Sequence, residues 1–294
     1  MRRLWNTLLY LAAALVVLYS IVNREDPDAA RRPPPQSPLA ERQPAMRTPP
    51  PRLPAPGPRD VSVIDLAEKR SSIGTAFAIA DGWWLTARHV VDGCHAVGLV
   101  TGPRRATWAQ STLVHPNADL ALLSTSLSRP ALALSTRSGF ARGQDGFAFG
   151  YPQGKPGDVH ARYMGNLRLR STGRYRSEEI AAVWAETDRV PAGLTALGGI
   201  SGGPMLDGEG SVVGVMVATS KRRGRIITVM PRTIRELVEQ HNVPVRSGAS
   251  LPPLSAANYI RQANVLRRNL RVAQVYCRVE DGRRRPGRDG ARSP

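Results

Sequence analysis

Gly198-Gly199-Ile200-Ser201-Gly202-Gly203-Pro204, continued by Gly210-Ser211-Val212-Val213-Gly214-Val215-Met216-Val217, decides the fold of this chain. One serine stands between two glycine pairs, just ahead of a turn and a β-branched run. Glycine lets the backbone curl so that successive N–H groups converge, and the valine-rich run reads as a strand. Alone, such a loop is equally a flexible hairpin connection. What surrounds it makes the difference.

Working outward, short apolar stretches recur every 8–15 residues from Val61 to about Gln240, broken by Gly, Asp and Pro. Examples are Gly74–Ile79, Gly82–Thr86, Leu120–Leu123, Gly146–Gly150 and Arg225–Val229. Asp81-Gly82 between two such runs is a tight-hairpin signal. This density of strands predicts an all-β sandwich or pair of barrels, and about 180 residues suit two small barrels. Only Pro231–Gln240 reads as a helix, with proline at its first turn and Ile234, Leu237 and Val238 on one face.

Two further features carry chemistry. In Leu85-Thr86-Ala87-Arg88-His89-Val90-Val91 a histidine follows a strand, and in Asn117-Ala118-Asp119-Leu120-Ala121-Leu122-Leu123 an acid enters one. A serine hydroxyl is a poor nucleophile until an imidazole takes its proton. The imidazole in turn needs a carboxylate to fix its tautomer and stabilise its charge. The developing oxyanion needs backbone donors, which Gly199 and Ser201 can offer. Each feature alone has a bland reading as a turn or structural residue. In the order His, Asp, Ser within an all-β pattern they point to acyl transfer.

These residues resemble the trypsin-like (chymotrypsin-fold) serine proteases, most of all the bacterial HtrA/Deg type. Thr86–Asp92 is similar to that family's histidine motif, Asp119–Leu123 to its aspartate motif, and Ser201–Leu206 with Gly210–Val215 to its serine motif and next strand. The resemblance spans residues 71–240. It implies His89 as general base and acid, Asp119 as its orienting carboxylate and Ser201 as nucleophile. It also implies two six-stranded β-barrels with the active site in the cleft between them, and protein or peptide substrates. No cofactor and no metal follow from it.

The chain departs from the family at Ile200, where secreted pancreatic-type enzymes carry Asp and HtrA-type enzymes often Asn. Thr195 occupies the position where trypsin has Asp. With no buried acid there to hold Lys or Arg, cleavage after a small or medium apolar residue is expected. The resemblance assigns substrate binding to Thr195 and to the strand edge Val217, Ala218 and Thr219, where a peptide adds as a β-strand. The 54 residues after Gln240 are too few for a PDZ domain.

The ends read differently. After a cytoplasmic tip at 1–3, residues 4–22 form an apolar run of 19 residues preceded by Arg2 and Arg3. That suits one transmembrane helix acting as an uncleaved signal anchor, with a cleaved signal peptide as the alternative. Residues 23–60 hold 12 of the 25 prolines and read as a disordered linker. The expectation is a single-pass protein of the bacterial inner membrane with its protease domain, 61–240, in the periplasm. Residues 241–294 read as a basic extension with a helix over 254–274.

The net charge is +18, of which 241–294, with 11 basic and 3 acidic residues, carries +8. Aromatics at 5% and the lack of a recognition motif argue against nucleic-acid partners. A homo-oligomer stays open, as do a silent protease-like binding module and an adhesion protein. Two cysteines exclude a disulfide-rich scaffold. In an oxidising compartment Cys94 and Cys277 could pair, pinning the tail near the active site. His95, His115, His160 and His241 show no metal-ligand spacing and are expected at the surface.

Overall fold

Short apolar strands bury their inner faces by closing into a barrel, and the most continuously apolar of them are buried on both faces. The computed structural model describes residues 57, 59–220, 224–245 and 251–280, all within one unit, Pro54–Pro294. The expected anchor over 4–22 and all but three residues of the expected linker lie outside the described residues. Among the described residues no helix is long and apolar enough to cross a membrane.

The first barrel holds β2 (Ser72–Ala80), β3 (Trp83–Thr86), β4 (Ala96–Gly102), β5 (Arg105–Val114), β6 (Ala121–Thr125) and β13 (Val272–Arg278). It closes in the order β13-β2-β3-β6-β5-β4. Phe77, Trp84, Leu85, Leu99, Leu122 and Leu123 on its strands are fully buried, some within the barrel and some on its outer face, each contributing roughly 1.5–3 kcal/mol of transfer free energy. The Asp81-Gly82 turn joins β2 to β3, and Gly82 takes φ +70°. A Cβ there would meet the Thr125 carbonyl oxygen at 2.7 Å.

The second sheet was expected to be another six-stranded barrel and instead holds seven strands. These are β1 (Val61–Leu66), β7 (Asp145–Gly150), β8 (Gly157–Gly173), β9 (Ser177–Val190), β10 (Pro204–Leu206), β11 (Val212–Ser220) and β12 (Arg225–Val229). Their order is β1-β8-β7-β10-β11-β12-β9, and a further β8–β9 pairing brings the sheet back on itself. β8 is 17 residues long. Its first part pairs with β7, and its last part is left free to take β1 in parallel, from Val61 against Arg168 to Leu66 against Gly173.

The C-terminal segment also corrects the expected organisation. The helix predicted over 254–274 is α3, Tyr259–Arg268, and it is followed by strand β13. The chain turns at Leu270, φ +52°. From Ala273 burial alternates with period two, with Val275 and Cys277 inside and Tyr276 and Arg278 outside. β13 pairs with both β2 and β4. Residues set apart as an extension thus supply the sixth strand of the first barrel. α3 faces the second sheet, where Arg267 forms a buried ion pair with Asp158, 2.6 Å. α1 (Arg88–Val91) and α2 (Pro231–Gln240) are the other α-helices among the described residues, and α2 buries Ile234, Leu237 and Val238.

Cys94 and Cys277 form a disulfide between the segment after α1 and β13. His160, expected at the surface, is 7% exposed. It stacks on Phe147 with ring centroids 5.0 Å apart and hydrogen-bonds Asp145 Oδ1 at 2.8 Å.

Candidate active site

Thr86 at the end of β3 pairs with Ala121 at the start of β6. This antiparallel register brings the residues just after β3 beside those just before β6. His89 lies on the single turn α1, and Asp119 two residues ahead of β6. His89 donates its backbone N–H to Asp119 Oδ1 at 2.8 Å, and its Nδ1 lies 2.6 Å from Asp119 Oδ2.

Asp119 is fully buried. Burial alone would push its carboxyl up; the charge of His89 and hydrogen bonds from His89 and Tyr175 outweigh that and hold it below the usual carboxylate range. Tyr175 donates its hydroxyl to Oδ1 at 2.9 Å. The Asp119 backbone N–H donates to Glu179 Oε1 at 2.9 Å. Glu179 lies in the opposite regime: burial raises its carboxyl to about 8.

The His89 carbonyl is held from outside. Lys69 Nζ donates to His89 O at 2.8 Å and to Val90 O at 2.7 Å. Burial, and secondarily the neighbouring Arg174, lower this ammonium to about 8. Arg174 Nη2 donates to the same His89 oxygen at 3.3 Å.

Ser201 sits before β10 in a loop tied back at its carbonyls. Thr75, fully buried in β2, donates its N–H to Ser201 O at 2.8 Å and its hydroxyl to Gly199 O at 2.8 Å. Tyr151 N–H donates to Thr75 Oγ1 at 3.0 Å, and Gln153 N–H to Gly198 O at 2.6 Å. Gly199 takes φ +98°. At Gly202, φ +85°, a Cβ would meet Thr75 O at 2.1 Å, so only glycine lets the two segments touch. The N–H groups of Gly199 and Ser201 have no hydrogen-bond partner among the described residues. Ile200 is 1% exposed and packs in a hydrophobic cluster with Leu197, Met205 and Met216. Its apolar side chain is therefore an anchor for the loop, in place of the polar residue the family carries.

His89, Gly199 and Ser201 line one cleft of about 560 Å³, together with Lys69, Ser72 and Ile73. Ser201 Oγ and the His89 ring share this cleft without a hydrogen bond between them among the described residues. Thr195, Val217, Ala218 and Thr219 are not among the cleft's lining residues. Thr195 and Thr219 are exposed, Ala218 is half-buried, and Val217 is 3% exposed. Thr75, Tyr175 and Glu179 went unrecognised in the sequence, because each reaches the site from a distant strand or hairpin. Among the described residues no group of three or more His, Cys, Asp or Glu could hold a metal ion.

Comparison with known proteins meets this geometry. The profile of the trypsin-like peptidase domain matches residues 74–215. The chain is 30% identical over 163 residues to "Probable periplasmic serine endoprotease DegP-like" from Marinomonas sp. (strain MWYL1), covering 55% of this chain and 33% of that protein. It is 30% identical over 168 residues to "Uncharacterized protein y4bJ" from Sinorhizobium fredii (strain NBRC 101917 / NGR234), covering 55% and 25%. The chain thus spans a third or less of the length of these relatives. Among solved structures, the active form of the Rv3671c protease from M. tuberculosis is 21% identical with TM-score 0.48, covering 62% of this chain and 76% of that one. The MamO protease domain from Magnetospirillum magneticum is 20% identical with TM-score 0.45, covering 56% and 93%. Residues 74–215 match the trypsin-like peptidase domain, and over this stretch the chain is similar to the trypsin-like serine proteases.

Proposed function

We propose that the chain is a serine endopeptidase in which Ser201 is the nucleophile, His89 the general base and acid, and Asp119 the carboxylate that orients His89. The observation that carries this reading is the Asp119–His89 pair, 2.6 Å between Oδ2 and Nδ1, opening onto the cleft that Ser201 shares. With Nδ1 donating to a buried carboxylate, Nε2 is the ring nitrogen left to accept a proton. Ser201 Oγ attacks the substrate carbonyl carbon as Nε2 takes the hydroxyl proton. The carbonyl π pair moves onto oxygen, and the N–H groups of Gly199 and Ser201 receive that oxyanion. Collapse breaks the C–N bond while His89 returns the proton to the leaving amine. Water then repeats the sequence on the acyl-enzyme.

The place of action is proposed on separate grounds. The apolar run at 4–22 behind two arginines, the Pro-rich stretch after it and the similarity to a protein named as a periplasmic endoprotease support a membrane-tethered enzyme of the bacterial envelope. Quality control or processing of envelope proteins fits that location.

The deciding experiment is fluorophosphonate labelling of the full-length protein in membranes. Wild type is expected to gain one covalent adduct at Ser201, and Ser201→Ala none. Absence of Ser201-dependent labelling sinks the enzymatic reading. It would favour a protease-like binding module, a reading that the missing Ser201–His89 hydrogen bond supports. In unliganded proteases that bond is often long and tightens with substrate.

A further inference from the structure

The turn between β8 and β9, Arg174–Arg176, reaches from the second sheet to the His89–Asp119 pair of the first barrel. Tyr175 is 8% exposed. Its ring lies under the Arg88 guanidinium, 3.9 Å from the centroid, and its hydroxyl ends on Asp119 Oδ1. Two residues into β9, Glu179 receives the Asp119 backbone N–H. Arg174, from the same turn, donates to His89 O and to Asp92 O. One hairpin therefore grips the Asp119 side chain, the Asp119 main chain and the His89 main chain.

We propose that Tyr175 and Glu179 are positioning residues that fix the Asp119 carboxylate, and through it the ring orientation and tautomer of His89. The proposal rests on the reading of Ser201 as nucleophile. A carboxylate with one donor can rotate about its Cβ–Cγ bond. Here Oδ1 takes the His89 N–H and the Tyr175 O–H, leaving Oδ2 to His89 Nδ1. Tyr175 remains a donor throughout the working range, since burial and the adjacent Asp119 charge push its phenol up. Glu179 adds the complementary half. Its Oε1 pins the Asp119 amide, so side chain and main chain of Asp119 are held together.

Glu179 Oε2 and Ser171 Oγ are buried without partners. The register pairs Leu169 with Glu179 and Ser171 with Ser177, so Ser171 and Glu179 share one face of the hairpin. A protonated Glu179 in this surrounding does not compete with Asp119 for the positive charge that forms on His89. Two neighbouring carboxyls pushed apart in this way have different roles.

The test uses the full-length protein, a peptide that wild type cleaves and a fluorophosphonate probe. Tyr175→Phe keeps the ring under Arg88 and removes only the donor. It is expected to lower kcat and the labelling rate about tenfold, the worth of one hydrogen bond to a charged group, with KM little changed. A carboxylate short of a donor pulls harder on the imidazolium proton, so the acid limb of kcat/KM moves to higher pH. The charged and titratable groups around this pair are Lys69, Arg88, Asp92, Arg174 and Glu179, and none of them is altered in Tyr175→Phe. Glu179→Leu, which orphans the Asp119 amide, is expected to lose more than Tyr175→Phe. Glu179→Gln, which keeps the acceptor, should recover most of that loss.

A labelled wild type with Tyr175→Phe at the same rate and pH profile overturns this proposal alone. So does a loss in the variants explained by the fraction folded. An unlabelled wild type overturns the nucleophile reading and the proposal with it. Should Glu179→Leu fail to fold, Tyr175→Phe decides.

Discussion

Thr75 and Ser201 meet main chain to main chain: the Thr75 N–H donates to the Ser201 carbonyl at 2.8 Å, while the Thr75 hydroxyl holds the Gly199 carbonyl two residues earlier. A strand of the first barrel thereby fixes both ends of the segment Gly199–Ser201, which lines the cleft. The N–H groups of Gly199 and Ser201 belong to the peptide units of the Gly198 and Ile200 carbonyls, which accept from Gln153 N–H at 2.6 Å and Gly203 N–H at 2.9 Å, so the whole loop is held on both sides. Removing the hydroxyl is expected to loosen that arrangement. Thr75→Val, near-isosteric, leaves the Tyr151 N–H and the Gly199 carbonyl without partners, at a cost of about 1–3 kcal/mol in stability. Peptidase kcat should fall by one to two orders of magnitude, on the scale of about 10²–10³ for losing one oxyanion donor outright. Thr75→Ser should retain most activity. Equal turnover in Thr75→Val and wild type would show that the loop holds its shape without the clamp.

The pH dependence of stability has a sign that Glu179 sets. Its carboxyl is raised from 4.5 to about 8 in the fold, so between those values the folded chain holds a proton that the unfolded chain has lost. Its contribution is complete below pH 4.5 and drains away as pH rises through about 8. The slope is about 1 kcal/mol per pH unit in that window. Asp119, held below its usual value, behaves oppositely, and its contribution disappears only in acid. Melts from pH 5 to 8 avoid the region in which Lys69, lowered to about 8, releases its proton in the fold and works the other way. Glu179→Gln should flatten the decline in Tm across this range. Parallel curves for the two proteins would contradict the assignment.

The Cys94–Cys277 bond closes a loop with a sequence separation of 183. In the chain-entropy account such a loop restrains the unfolded state by about 5 kcal/mol, with measured values commonly about 2–4. Reduction, or Cys94→Ser with Cys277→Ser, should lower Tm by several degrees under otherwise equal conditions. A reduced protein melting with the oxidised one would show that the barrel closes without help from the bond.

Asp158 and Arg267 are 2% and 8% exposed and form two hydrogen bonds, 2.6 and 2.9 Å. Burial raises the Asp158 carboxyl, and the guanidinium opposes it. Taking one partner away leaves the other charge buried, so Arg267→Met should destabilise by about 3–5 kcal/mol. The double variant Asp158→Leu with Arg267→Met should recover part of it. Denaturant unfolding of the three proteins measures both quantities.

How much of this was legible in the sequence depends on how local each signal is. His89, Asp119 and Ser201 each come with their own strand and turn residues, so their neighbourhoods announce them. The Asp81-Gly82 hairpin and the helix Pro231–Gln240 are equally self-contained. The helical stripe Ala263, Leu266, Leu270 and Ala273 runs on into the strand Val272–Arg278, so the expected helix over 254–274 takes in its first three residues. The positive φ at Leu270, which ends that stripe, has no marker such as glycine. The pairing of Val61–Leu66 with β8 is also silent, since a strand's own residues do not name its partner. Tyr175, Glu179 and Thr75 act across sequence separations of 56, 60 and 124 residues, where periodicity carries no information.

The last stave of the first barrel, β13, is made 71 positions after Ser201 and 183 after His89. During synthesis Ser201 and His89 both leave the ribosome while the barrel bearing His89 still gapes between β2 and β4. Two ladders' worth of hydrogen bonds, and a thiol at Cys94 awaiting its mate, are satisfied only once Val272–Arg278 has been made. The barrel that carries His89 is thus completed only after the Ser201 loop has been made. A chain stopped at Arg271 should be open, prone to edge-to-edge association, and refractory to the fluorophosphonate.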